Sequence, residues 1–135
     1  MLRPEDRKAV EDMFAGGERE VGVLVLTQGE MPEQFRDVLA ELGELVPLLR
    51  VTQRPWDEAA DTAISERAPA VVLLDEAGEP SGVRFSGYPG GYEFGIFVQD
   101  LADAAHGRVE LSPDTLSFLA DLDQSIAIKV FTTPT

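Results

Sequence analysis

Two hydrophobic rhythms alternate along the chain: helical steps of three and four residues, and short runs that are continuous or alternating. Arg3 to Phe14 carries Val10, Met13 and Phe14 on one side, with Leu2 and Ala9 near the same face, and Gly16-Gly17 stops it, which predicts an amphipathic first helix. Val21 to Thr27 (VGVLVLT) is almost unbroken in its apolarity and predicts a strand in the middle of a sheet. Gln28 to Met31 is a polar loop, and Pro32 suits the first turn of the next helix, where its missing N–H costs nothing. From Pro32 to Leu45, Phe35, Val38, Leu39, Leu42 and Leu45 recur at helical steps. Leu48, Leu49 and Val51 mark a second strand within Val46 to Gln53, with Pro47 at its start or on an edge. Asp57 caps a short helix running to Ser65, and Glu58 is favourable near its positive end.

Arg67 to Phe94 then supplies a buried strand, a turn, a return strand and a glycine-rich opening into a helix. Ala70-Val71-Val72-Leu73-Leu74 is short, apolar and bounded by Pro69 and by the turn Asp75-Glu76-Ala77-Gly78. Val83-Arg84-Phe85 alternates like the return strand of a hairpin. Pro69 cannot donate to a ladder, so it belongs at the strand's entrance, where it is a candidate for a cis peptide bond. Beyond Gly90-Gly91 a helix is expected from Tyr92 to Ala105, with Phe94, Phe97, Val98 and Leu101 as its apolar stripe and Gly107 as its stop. Ser112-Pro113-Asp114 opens a last helix carrying Leu116, Leu119 and Leu122. Ile126 to Phe131 alternates and is β-branched, which predicts a trailing strand.

At 135 residues the chain is long enough for one domain with its own core. Its formal net charge of -14 would repel phosphate backbones and anionic lipid, so neither nucleic acid nor membrane is expected as a partner; a basic or neutral protein surface is. The absence of cysteine excludes a disulfide scaffold, a thiolate metal site and thiol chemistry by the chain itself. No apolar run approaches the ~20 residues of a membrane span, and the start lacks a signal peptide's pattern, so a cytoplasmic protein is expected.

The element order β-α-β-α-β-β-α, with one helix before it and one after, is the thioredoxin pattern: an α/β fold whose mixed sheet of about four strands carries helices on both faces. Arg67-Ala68-Pro69-Ala70, followed by Val83-Arg84-Phe85-Ser86-Gly87-Tyr88-Pro89-Gly90-Gly91-Tyr92-Glu93-Phe94, resembles the hairpin and helix opening of the first thioredoxin-fold unit in the glutaredoxin-like protein disulfide oxidoreductases. The N-terminal domain of the alkyl hydroperoxide reductase flavoprotein subunit is a close cousin. Ile128-Lys129-Val130-Phe131-Thr132-Thr133-Pro134-Thr135 looks like the strand that in this family leads into the Cys-x-x-Cys of a second unit. The resemblance implies a thioredoxin-like domain over residues 1–124 and, over 125–135, the start of a second unit.

What the resemblance implies for chemistry is a missing step. The place of a Cys-x-x-Cys, between the first strand and its helix, is taken by Gly29-Glu30-Met31-Pro32, so no catalytic residue is assigned. A cis proline facing that loop frees backbone groups to pair with an extended peptide, which singles out Ala68 and Pro69 as a peptide groove. Gly90-Gly91-Tyr92 looks like the glycine pair that glutaredoxins place at a helix start to receive a carboxylate, although Glu93 in the first turn competes for the same donors.

The remaining candidates have ordinary readings. His106, the one histidine, falls in a last helical turn, where it caps the helix or meets solvent. Asp57, Glu58 and Asp61 have helix-surface spacing and read as a solvated acidic face; no metal and no cofactor is expected. Trp56 is either an exposed anchor for a partner or an aromatic pinned against the helix start.

Three functions follow as expectations. In the first, the chain is a redox-inactive scaffold or docking unit of a thiol-disulfide oxidoreductase, partnered by a second thioredoxin-fold unit, a reductase or a peroxiredoxin. In the second, it is a free-standing thioredoxin-like module that binds a peptide or protein along the Pro69 edge. A glutathione-dependent activity through Gly90-Gly91 is a third. The trailing strand is expected to pair with a sheet edge, in the same chain or in a homodimer, and to end at Pro134.

Overall fold

A computed structural model describes residues 1–133 of the chain. The first helix, α1 (Pro4–Phe14), has Pro4 at its start and Glu5 and Asp6 in its first turn, where the helix dipole favours acid, and it buries Val10 and Phe14. Strand β1 (Val21–Thr27) leads into α2 (Glu33–Leu45), which buries Phe35, Leu39 and Leu42 on one stripe. Strand β2 (Leu49–Pro55) and the single turn α3 (Glu58–Asp61) follow. Strands β3 (Ala70–Leu74) and β4 (Pro80–Ser86) form the hairpin, and α4 (Tyr92–His106) and α5 (Pro113–Ala120) complete the described elements.

The sheet runs β2-β1-β3-β4, with β1 and β2 parallel and the other two pairs antiparallel. The continuous apolarity of β1 and β3 is explained by their central places, since each is covered on both faces. Val21, Val23, Val25, Val71 and Leu73 point to one side, where Val10 and Phe14 of α1, Phe35, Leu39 and Leu42 of α2, and Phe97, Val98 and Leu101 of α4 close over them. Leu24, Leu26, Ala70 and Val72 point to the other, under Trp56, Ile64 and Leu74. The second layer is therefore α3 and the turns around it, a much thinner cover than the three helices opposite.

Several boundaries differ from the pattern-based expectation. Strand β2 begins at Leu49 because Val46 caps α2, its N–H donating to Leu42 O at 2.9 Å, and Pro47-Leu48 form a turn closed by Leu49 N–H on Val46 O at 3.0 Å. It runs on to Pro55, which an edge strand tolerates. Helix α3 stops at Asp61, since Ile64 and Ser65 N–H both turn back to Asp61 O at 2.8 Å and close the segment as turns. Helix α5 ends at Ala120, leaving Leu122 beyond it.

The larger correction is the trailing strand. Residues 126–131 form no strand and join neither sheet edge; Ile126, Ile128, Val130 and Phe131 lie exposed, Phe131 at 91%. Alternation states a preference for a partner but does not supply one, and an unpaired strand leaves its donors and acceptors to water. The expected stop at Pro134 lies outside the described residues. Every buried residue of the described chain falls between Val10 and Ala105, so α5 and the segment after it add nothing to the core.

Candidate functional site

Strand register brings three of the candidate segments to one end of the sheet. Leu26 of β1 pairs with Ala70 of β3, and Ala70 pairs with Ser86 of β4. The next residues outward are Thr27, Pro69 and Gly87, so the loop after β1, the Ala68-Pro69 dipeptide and the Gly87–Gly91 loop share one corner. Gly87 N–H donates to Pro69 O at 2.7 Å, fastening the last two together. The Ala68–Pro69 peptide bond is cis.

The loop after β1 holds no nucleophile. Gly29 takes a left-handed φ of 71°, Glu30 and Pro32 face solvent, and Met31 turns inward to 8% exposure and joins the core beside Phe35. A buried thioether here is packing material, with no proton or electron pair poised for exchange. Pro32 is the N-cap of α2 and offers its helix no side-chain bond.

Tyr88 links this loop to the glycine loop. Its ring packs on Phe35 with centroids 5.2 Å apart, and Phe35 in turn meets Phe97 at 6.5 Å. Its hydroxyl is buried without a hydrogen-bond partner among the described residues, and burial pushes the phenol above its ordinary value while the nearby Gln28 backbone pulls the other way. The phenol therefore stays protonated at neutral pH.

At the start of α4, Gly91 adopts φ 54°, ψ -131°, a conformation that favours glycine, and no side chain caps the helix. Glu93 does not take the free donors, contrary to the sequence expectation. Its carboxylate instead accepts from Thr132 Oγ1 at 3.4 Å. Gly90 and Tyr92 are exposed, Tyr92 at 84%, so the glycine pair opens outward.

Two further residues, Asp61 and His106, depart from their sequence readings, and Trp56 takes the second of its two. Asp61 is fully buried, not part of a solvated face. Its two carboxylate oxygens accept from Arg54 Nη1 and Nη2, both at 2.6 Å, and one accepts from Asp57 N–H at 2.8 Å. The Arg54 guanidinium and the Asp57 amide hold its carboxyl down at about 2. Asp57 does cap α3, accepting from Ala60 N–H at 3.0 Å. His106 reaches Met13 O through Nε2 at 2.9 Å and ties α4 to the last turn of α1, so it serves the end of α1 and not that of its own helix. Trp56 is pinned, packing on the Leu24, Leu26, Ala70 and Val72 cluster with its indole N–H buried and unpartnered among the described residues. Ser65, also buried, donates to Arg67 O at 2.7 Å and fixes the approach to Ala68. Arg54 and Asp61 stand seven residues apart on different elements, a spacing that carries no sequence signal.

No group of three or more metal-ligating side chains occurs among the described residues, and none of the described helices is long and apolar enough to cross a membrane.

No family model matches the chain, and no curated protein matches it by sequence. Solved structures do match. The NTD_N/C domain of alkylhydroperoxide reductase AhpF from Enterococcus faecalis superposes with a TM-score of 0.74 at 24% identity, over 87% of this chain and 59% of that one. A single-residue mutant of alkylhydroperoxide reductase AhpF from the same organism gives 0.77 at 24% identity, over 90% of this chain and 61% of that one. A protein disulfide oxidoreductase from Aeropyrum pernix gives 0.69 at 21% identity, over 90% and 56%. The chain thus spans less than two thirds of each neighbour's length. It has the thioredoxin-like fold, shared with the N-terminal domain of alkylhydroperoxide reductase AhpF and with an archaeal protein disulfide oxidoreductase.

Proposed function

We propose that this chain is a redox-inactive docking unit of a thiol-disulfide oxidoreductase system, which presents a surface to a second thioredoxin-fold unit that carries the cysteines. The observation that carries the reading is the β1–α2 loop: in a fold shared with redox proteins, that loop is Gly29-Glu30-Met31-Pro32, in a chain with no cysteine. Thiol–disulfide exchange needs an attacking thiolate, and no other side chain substitutes for it. The docking side chains proposed are apolar ones that the domain leaves exposed, Leu116, Phe118 and Leu119 on α5 and Ile128, Val130 and Phe131 after it. The matched neighbours are longer than the region they share with this chain, which is compatible with a second unit as the partner; the division of the chain near residue 124 is part of the same proposal. A chain that uses no disulfide has no need of an oxidising compartment, which favours the cytoplasm.

The test is association with a separately produced Cys-x-x-Cys thioredoxin-fold unit from a protein disulfide oxidoreductase, measured by sedimentation. A complex that Phe118→Glu and Phe131→Glu both weaken supports the reading. No complex at any attainable concentration, or one indifferent to both substitutions, overturns it. The second reading, a free-standing peptide-binding module, is favoured by the Ala68-Pro69 dipeptide lying beside the open Gly90-Gly91 pair at one corner. A homodimer through residues 126–131 would show in the same sedimentation runs as self-association of the chain alone.

A further inference from the structure

Among the described residues, two polar contacts fasten the segment after α5 to the rest of the domain, and both fall at the Pro69 corner. Lys129 Nζ donates to Glu66 Oε2 at 3.1 Å, and Thr132 Oγ1 donates to Glu93 Oε1 at 3.4 Å. Glu66 precedes Arg67-Ala68-Pro69, and Glu93 follows Gly90-Gly91-Tyr92. The bond from Gly87 N–H to Pro69 O holds these two loops side by side. Lys129 and Thr132 are separated by about 10 Å of extended chain at ~3.3 Å per residue, so the segment reaches from one loop to the other.

We propose that Lys129–Thr132 is a strap, fastening the segment after α5 at the Pro69 corner, so that an outside peptide pairs along the half-buried Ala68-Pro69 edge only when the strap is released, while Gly90-Gly91 stays open to solvent. The consequence for peptides rests on reading that corner as a protein-binding surface; the strap itself rests on the two contacts. Among the described residues 126–133 no side chain is buried, Ile126, Ile128, Val130 and Phe131 all being exposed. Its attachment is therefore polar and reversible. Lys129 is one of two lysines in a chain of net charge -14, so the overall field favours its docking on Glu66, although Arg84 and Arg67 also act on that carboxylate, and salt weakens the attraction. The ammonium of Lys129 in turn holds the Glu66 carboxyl below its ordinary range.

An exposed ion pair of this kind contributes little, so losing it lowers the ratio of strapped to open chain by up to about fivefold. The chain has no cysteine, and Thr133→Cys therefore gives a single site for a nitroxide label whose broadening of the Gly87, Gly90 and Gly91 amide resonances reports the strap. Broadening in this labelled chain should fall on Lys129→Glu and at high salt, and should return when Glu66→Lys is added to Lys129→Glu. Absence of broadening, or broadening that Lys129→Glu leaves unchanged, overturns the strap. A synthetic peptide of residues 126–132 is the second arm. It should shift the same glycine amides in the Lys129→Glu chain at up to about fivefold lower concentration than in the parent. A strap that opens while the peptide still fails to bind removes the peptide-groove reading and leaves the strap standing.

Discussion

Replacing Asp61 by Asn should lower stability by about 2 kcal/mol at neutral pH, and the loss should vanish in acid. The Asp61 carboxylate has no contact with water and accepts three hydrogen bonds, two from Arg54 and one from the Asp57 amide. Asparagine keeps the shape but removes the charge, much as protonation does. The folded carboxyl lies at about 2 against an ordinary 3.8. At ~1.4 kcal/mol per unit this difference corresponds to roughly 2.4 kcal/mol, reduced to about 2 because the Arg54 head remains partly in water. The folded value is depressed, so the stabilisation is fully present above pH 3.8 and is lost as pH falls through about 2. Urea unfolding of the parent chain and of Asp61→Asn between pH 7 and pH 2 is the assay. The two curves should stand about 2 kcal/mol apart at pH 7, corresponding to about 5–10 °C in the thermal midpoint, and should converge near pH 2. A gap below about 0.5 kcal/mol at pH 7, or one that persists unchanged into acid, would refute the reasoning.

Other parts of the fold give sharper tests of packing. A Cβ on Gly22 would lie 2.7 Å from Leu74 Cβ across the β1–β3 pair, so Gly22→Ala should destabilise by about 1–3 kcal/mol in urea unfolding, and a neutral result would mean that the strands separate freely there. Phe97 is fully buried among Phe35, Phe85 and Phe94, so Phe97→Ala should cost about 3–5 kcal/mol by the same measurement, and a loss under 1 would show that the core collapses around the gap. Truncation after Gln124 removes, among the described residues, only exposed side chains and should leave the calorimetric midpoint where it was; a fall of several degrees would show that the removed segment packs in solution.

The fold was legible where burial and periodicity coincide. Val21–Thr27 and Ala70–Leu74 are apolar on both faces because both strands are central, and the stripes of α2 and α4 match the core that they enter. Element ends were less legible, because capping bonds such as Val46 N–H to Leu42 O decide them locally. The loop without cysteine could be read directly, since an absent residue type needs no geometry. What sequence could not give were contacts between distant or differently oriented groups: Arg54 on Asp61, His106 on Met13, and Thr132 on Glu93. Residues 126–131 failed for the same reason, since their alternation specifies a strand only when a partner edge is supplied.

The proposed function holds that a fold shared with redox proteins acts here without thiol–disulfide exchange, and insulin reduction driven by dithiothreitol or glutathione tests it most directly. With the isolated chain the rate should equal that of buffer at every protein concentration, because the chain supplies no thiol to form a mixed disulfide. Turnover that rises with added chain would contradict the account.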